Sequence, residues 1–439
     1  MHLINAPLRG GFDKTVARRL RHLTEGQVTT FMEIGGLIPQ GASRVNGREI
    51  RMVWGNMVKD LGAPLWIRQL LSELSLEHDH SYTTSTGHPP FIAKLIEKLR
   101  IEAKQNVTAE DVLVGYGATQ LMDLITMFTV NEKRAVFFPE YSYPPFLSGV
   151  RARNGKIYAY RVLPNGDPDT EHLKHQIEKA QEDGFRPTYV YVNSPQNPTG
   201  VIHSPESLGG TIAVVREFNL DPINENKMFI ISDDVYHGLV MSGKNEKVIH
   251  PSSLLTEEDN GVVPILQLGS LSKEFGLCGA RVGWTYFINC EGIDGMQHLK
   301  NGLIYALGVD LCAPSLYQEL GARIVLETRH LPEMIAKIAA RQDAVQAAFN
   351  REGIILGDRP EATFYWWMGI DPNFGTWRND KEFARMLAME QGVGFAPGGA
   401  FYCGEGTKKQ FVRISLVEPP EIIAVAGERL DRFMEEHKR

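Results

Sequence analysis

The stretch that decides the reading is Ser270-Leu271-Ser272-Lys273-Glu274-Phe275-Gly276-Leu277-Cys278-Gly279-Ala280-Arg281-Val282-Gly283. It follows the apolar run 265–268 (ILQL), which reads as a buried strand. It packs one lysine, two serines, one arginine and three glycines into a strand-to-loop junction. A lysine at the end of a buried strand loses part of its preference for the charged form by desolvation. Its neutral amine can then attack an aldehyde and form a Schiff base. Serine hydroxyls and an arginine suit a phosphate. Composition alone leaves a second reading open, a surface loop with a solvated lysine.

Outward from this stretch, strands and helices alternate. Residues 91–104 have apolar positions at helical spacing, Val112–Val114 is a short apolar strand, and Gln120–Phe128 is helix-like. Further apolar or alternating runs lie at 134–138, 188–192, 228–231 and 282–288, with candidate helices at 171–182 and 205–218. This order predicts an α/β fold, a large unit whose mainly parallel sheet is covered by helices on both faces. Right-handed crossovers bring the strand ends to one edge, where ligands bind. After about residue 315 the rhythm changes. Residues 316–350 read as long helix, Ala362–Gly369 as strand, 380–391 as helix, Phe411–Leu416 as strand and 420–436 as a closing helix. We expect a smaller α+β unit over 316–439, a large unit over 81–315, and an arm over 1–80 that contributes to the smaller unit. The first 50 residues, with weak periodicity and many glycines, predict one or two short helices.

Four other segments carry chemistry at strand ends or turns. Asn193-Ser194-Pro195-Gln196-Asn197-Pro198-Thr199-Gly200 is a rigid double-proline turn with amides able to hydrogen-bond a flat ring, though such a turn is also a good generic one. Asp233-Asp234-Val235-Tyr236 follows a strand, and two acids there could equally cap a helix. Gly117-Ala118-Thr119-Gln120 opens a helix, where free N–H groups and the helix dipole favour an anion. Phe411-Val412-Arg413-Ile414-Ser415 puts an arginine on a strand, a bidentate clamp for a carboxylate.

These segments, in this order, resemble the class I/II aminotransferases, enzymes of fold type I that use pyridoxal 5′-phosphate (PLP). The stretch at 270–283 meets every fixed position of the family's pattern S-x-S-K-x-F-G-x-x-G-x-R-x-G. The likeness runs from about Tyr82 to Leu416. It implies that Lys273 is the Schiff-base lysine and that Ser270, Arg281, Ala118 and Thr119 hold the cofactor phosphate. Asp233, three residues before Tyr236, would face the pyridine nitrogen. Asn197 and Tyr236 would meet the phenolic oxygen, and Tyr141, from Pro139-Glu140-Tyr141, would stack on the ring. Arg413 would hold the substrate α-carboxylate, with Gly55 contacting the substrate. Tyr82, five residues before Gly87, resembles a tyrosine that reaches the phosphate of a neighbouring subunit, which implies a homodimer with shared sites.

The activity implied moves the amino group of an amino acid to a 2-oxo acid. The same residue set also serves lyases, decarboxylases and amino-acid oxidases, and a PLP-binding transcriptional regulator is a more remote reading. The remaining composition narrows the field. The chain has 439 residues, 43% hydrophobic and 23% charged, with a net charge of −7, which argues against a general nucleic-acid or anionic-membrane partner. Arg18, Arg19 and Arg21 read as a solvated helix face. Cys278, Cys290, Cys312 and Cys403 show no metal-ligand spacing, so no metal is expected, and so few cysteines in a long chain fit a reducing compartment. The N-terminal MHLINAPLRGGF lacks a signal-peptide core, and no apolar run nears membrane-spanning length, so a cytoplasmic protein is expected. Trp54, Tyr305, Trp366 and Trp367 are candidates for an aromatic-friendly pocket, with core packing as the alternative.

Overall fold

The central strands are apolar at successive positions, so both of their faces must be covered. In β3 (Arg134–Pro139), Ala135 and Phe137 point to one face while Val136 and Phe138 point to the other, and all four are fully buried. Each such phenylalanine contributes on the order of 2–3 kcal/mol of burial. The computed structural model describes residues 27–57, 59–241, 248–404 and 410–439. The arginine run 18–21 lies outside them.

Seven strands form the large sheet. They are β2 (Val112–Gly115), β3, β4 (Lys156–Tyr160), β5 (Arg186–Asn193), β6 (Phe229–Asp233), β7 (Ile265–Ser270) and β8 (Gly283–Ile288), in the order β2-β8-β7-β6-β5-β3-β4. All pairs are parallel except those of β8, which runs antiparallel to both neighbours. Helices Pro89–Ala103, Thr170–Glu182 and Pro205–Leu220 cover one face. Helices Ala118–Thr129, Pro144–Ala152 and Asp294–Val309 cover the other. The expected mainly parallel, doubly covered sheet is what forms.

A second sheet has the order β1-β11-β12-β10-β9. Its strands are β1 (Ile50–Met52), β9 (Ile354–Ile355), β10 (Tyr365–Ile370), β11 (Val393–Pro397) and β12 (Phe411–Ser415). Only β1–β11 is parallel. Helices Leu331–Phe349, Asp380–Gln391 and Pro420–His437 complete its core.

Three details depart from the sequence reading. The expected helix over 316–350 is two helices, Ser315–Ile324 and Leu331–Phe349, because Pro332 occupies the first turn of the second and favours a fresh start there. Helix Ser315–Ile324 and helix Leu65–Glu77 pack through Leu320, Ile324, Ile67 and Leu74 onto the large-sheet core, although boundaries at 80 and 315 would place them in the other unit. Among the described residues of the first 50, the helix is Gln27–Arg44, 18 residues long and longer than the short helices expected. It crosses helix Asp380–Gln391 closely where Gly41 meets the backbone of Ala388 and Gly392.

Candidate active site

The C-terminal ends of β5, β6 and β7 open onto a cavity of about 280 Å³ between the two sheets. Ligands of open α/β sheets bind at this same edge. Lys273 enters it from the short helix Leu271–Glu274, which Ser270 caps with its Oγ on the Ser272 N–H. Lys273 Nζ donates to the Gly55 carbonyl at 2.5 Å. It lies 6.0 Å above the Tyr236 ring and 5.6 Å above that of Phe364.

Asp233, the last residue of β6, faces Lys273 across the cavity and is 5% exposed. Its Oδ2 accepts a hydrogen bond from the Tyr191 hydroxyl at 2.7 Å. Burial pushes its carboxyl up to about 6, with Asp234 adding to the rise and the Tyr191 hydrogen bond and Lys273 opposing it. Asp234, one residue on, points to the other side, where His250 and Ser232 hold it. The choice of Asp233 over Asp234 therefore agrees with which carboxyl reaches the cavity.

Arg413 on β12 is buried, stacked 4.1 Å over the Tyr365 ring. Nη1 donates to Asn197 Oδ1 at 2.9 Å and Nη2 to the Val53 carbonyl at 2.7 Å. Nε is buried without a hydrogen-bond partner, a cation held ready for an acceptor. Asn197 is fixed in turn, because Asn193 Oδ1 accepts its N–H at 2.8 Å while Asn193 Nδ2 donates to the Asp233 carbonyl. Tyr236 shares a 3.0 Å hydroxyl contact with Tyr365, and burial raises its phenol well above the ordinary range.

At the opposite end, helix Ala118–Thr129 starts after Gly117, whose φ is +88°. Gly283 lies so close that a Cβ there would come within 2.4 Å of the Ala118 nitrogen. Arg281, itself at φ +53°, donates to the carbonyls of Tyr116 and Cys278. Ala118, Thr119, Ser270, Ser272 and Arg281 all line this end. Hydroxyls, a guanidinium and a helix N-terminus together form a cradle for a phosphate.

Tyr141 is not among the lining residues. A bridge to Tyr402 takes its backbone aside, and its ring packs against Trp367, Tyr402 and Phe411. Tyr143, two residues on and just before helix Pro144–Ala152, lines the cavity instead. Tyr82 is also outside it and is 77% exposed. Of the four aromatic pocket candidates, Trp54 lines the cavity, Trp366 is buried with its indole N–H on the Leu356 carbonyl, Trp367 packs on Tyr141, and Tyr305 is exposed. Sequence reasoning missed Phe31, Tyr143, Asn193, Ser272 and Tyr365. Asn193 and Ser272 stood inside the quoted motifs. Nothing distinguished the three aromatics from core residues.

The model of the family "aminotransferase class I and II" matches residues 56–430. The chain belongs to that family. Its curated relatives include tyrosine aminotransferase of Dictyostelium discoideum, 25% identical, with 84% of each chain covered. Cystine lyase of Arabidopsis thaliana is 23% identical over 82% of this chain and 80% of that one. Among solved structures, the alanine aminotransferase of Pyrococcus furiosus superposes with a TM-score of 0.81 at 23% identity, covering 97% of this chain and all of that one. The aminotransferase has the fold-type I architecture, and its activity is PLP-dependent amino transfer. The residues present fit the cofactor. A lysine, a buried carboxyl and a phosphate cradle lie along one cavity. Among the described residues, no helix is long and apolar enough to cross a membrane.

Proposed function

We propose that this aminotransferase acts on an amino acid with an apolar or aromatic side chain, passing its amino group to a 2-oxo acid. The observation that carries the reading is the set of cations lining the cavity. Among the described residues these are Lys273, Arg281 and Arg413, and each has a task at the cofactor or the α-carboxylate. Within the one chain, none is left for a second substrate carboxylate. The rest of the wall includes Phe31, Val53, Trp54, Tyr143, Phe146 and Tyr365, which favour an apolar side chain.

In this reading Lys273 links the cofactor, and Ser270, Ser272, Thr119, Arg281 and the Ala118 N–H hold its phosphate. Bound there, PLP supplies an electron sink for the carbanion formed at Cα. Asp233 keeps a proton on the pyridine nitrogen. Asn197 and Tyr236 meet the phenolic oxygen, and Tyr143 takes the stacking place first expected of Tyr141. Arg413 turns the α-carboxylate toward Asn197, with Gly55 alongside. Lys273, whose Nζ would hold the cofactor, is also the group placed to take the substrate's α-proton as general base and give it back. Tyr82 completes the phosphate site of a second copy of the chain in a homodimer. The free cysteines support a cytoplasmic location.

The test is a spectral screen of amino acids for conversion of the bound cofactor to its aminated form. Leucine-like or aromatic amino acids should convert it at lower concentration than aspartate or glutamate. Preference for the dicarboxylates would overturn the substrate class. The likeness to a cystine lyase favours a second reading, bond cleavage at the substrate side chain. Release of ammonia, a 2-oxo acid product and a persulfide from cystine, without a 2-oxo acid acceptor, would select it.

A further inference from the structure

Successive residues at the end of β6 and after β7 send acids to two different places. Asp233 and Lys273 enter the active-site cavity, while Asp234 and Glu274 enter a small buried pocket of about 20 Å³ behind it. There they meet Lys98 and Glu102 of helix Pro89–Ala103, together with His237, His250, Gln267 and Tyr286. His250 Nδ1 sits 2.5 Å from Asp234 Oδ2, and its Nε2 lies 3.7 Å from Glu102 Oε2. Lys98 Nζ is 2.7 Å from Glu102 and 3.6 Å from Glu274. The ring of His237 stacks on that of His250 at 3.8 Å, and Gln267 Nε2 lies 3.0 Å from its Nδ1.

Glu102, His237 and His250 bring donor atoms within 4.8 Å of one another, which is metal-like spacing. A metal is the weaker reading, because Lys98 already places a cation on Glu102. Burial pulls His250 down, but Asp234 and Glu102 outweigh it and raise the ring to about 9. His237 is lowered to about 3 by burial and by its cationic neighbour. The pocket therefore holds two cations, Lys98 and His250, woven between three acids.

We propose that His250 is a positioning residue for the amino-transfer reaction. Its ring, clamped between Asp234 and Glu102, neutralises the carboxyl next to Asp233 and keeps it turned away from the cofactor. Asp233 is then the one carboxylate that sets the field at the pyridine nitrogen and at Lys273. Without His250, a buried carboxylate would stand one residue from Asp233 with no counter-charge. The inference rests on the reading that Lys273 links the cofactor and Asp233 faces it.

The test titrates the visible spectrum of the PLP-loaded enzyme, whose colour reports the proton on the Lys273–cofactor linkage. His250→Gln removes a positive charge, so the midpoint should rise by about half a pH unit or more. Asp234→Asn removes a negative charge, so the midpoint should fall by a similar amount. The double variant removes both and should return close to the wild-type value. A role confined to packing would not give opposite shifts that cancel. Unchanged midpoints, or shifts of the same sign, would overturn the proposal. If His250→Gln does not fold, the neutral pair in the double variant keeps the question decidable, since a double variant whose midpoint equals that of Asp234→Asn also overturns it. A wild-type protein that takes up no coloured cofactor, or that borohydride labels on a lysine other than Lys273, would instead sink the underlying reading.

Discussion

At the scale of single residues, two neighbouring acids differ by where the backbone points them. Asp233→Asn keeps the shape but cannot hold a proton on the pyridine nitrogen by charge, so turnover should fall by several powers of ten with the fold intact by circular dichroism. Asp234→Asn should cost about tenfold or less in the same assay. The paired tyrosines give a second comparison. Tyr143→Leu should weaken cofactor retention in dialysis, and Tyr141→Phe should leave it near wild type, because Tyr141 packs against Trp367, Tyr402 and Phe411 and does not line the cavity. The family resemblance singled out Lys273, Asp233, Asn197, Arg281, Ser270 and Arg413, and all six line the cavity, whereas residue chemistry alone left a bland alternative such as a surface loop, a generic turn or a helix cap. Tyr143, Tyr365 and Phe31 carried no such mark. An aromatic in an apolar run is an ordinary core residue until tertiary contacts aim it at a cavity.

At the scale of elements, strands with both faces buried were readable from continuous apolar runs, and β3, β5, β6, β7 and β8 all fall within a residue or two of expectation. Helix Gln27–Arg44 was not, because Gly35, Gly36, Pro39 and Gly41 weaken its local signal. Its packing supplies what propensity lacks. A Cβ at Gly41 would meet Ala388 O at 2.1 Å and Gly392 N at 2.3 Å, and both are backbone atoms that cannot swing aside. Gly41→Ala gains about 1 kcal/mol of helix propensity but overpacks a crossing, which costs roughly 1–3 kcal/mol or more. The clash should win. Melting temperature should fall, and because Phe31 rides on this helix, apparent affinity for the amino acid should weaken in steady-state assays.

At the scale of the whole molecule, the buried ionic pocket couples stability to pH. His250 is raised to about 9 from an ordinary 6.5. Its contribution is complete below about pH 6.5 and is lost as pH rises through about 9. Glu102 works in the other direction. Burial opposes its ionisation, but His250 and Lys98 lower it to about 2, so its contribution is complete above about 4.5 and is lost as pH falls toward 2. Urea midpoints should therefore decline between pH 7 and 9.5, and the Asp234→Asn/His250→Gln variant should decline less. Assembly offers a separate check. Lys273→Ala and Tyr82→Ala homodimers should be inactive and impaired. If sites are shared, randomly mixed dimers should recover roughly a quarter of wild-type activity, because half are mixed and one of their two sites is intact. Activity no higher than the mean of the two parents, with heterodimer demonstrated, would rule sharing out.

The two sheets meet through bonds of unequal kind. Lys273 reaches across to a carbonyl at Gly55, whereas Arg413 reaches across to the side chain of Asn197. The backbone acceptor needs no particular side chain of its own, but a Cβ at Gly55 would come within 2.2 Å of the Tyr365 hydroxyl, so position 55 favours glycine. The Arg413–Asn197 link needs both partners at once. Chimeras that recombine the β1 and β9–β12 portion of one family member with the seven-stranded portion of another should thus depend on side-chain compatibilities, the arginine on β12 with the asparagine after β5 and Tyr365 on β10 with Tyr236 after β6. The arginine and the asparagine should have to be exchanged together, although 216 residues separate them along the chain.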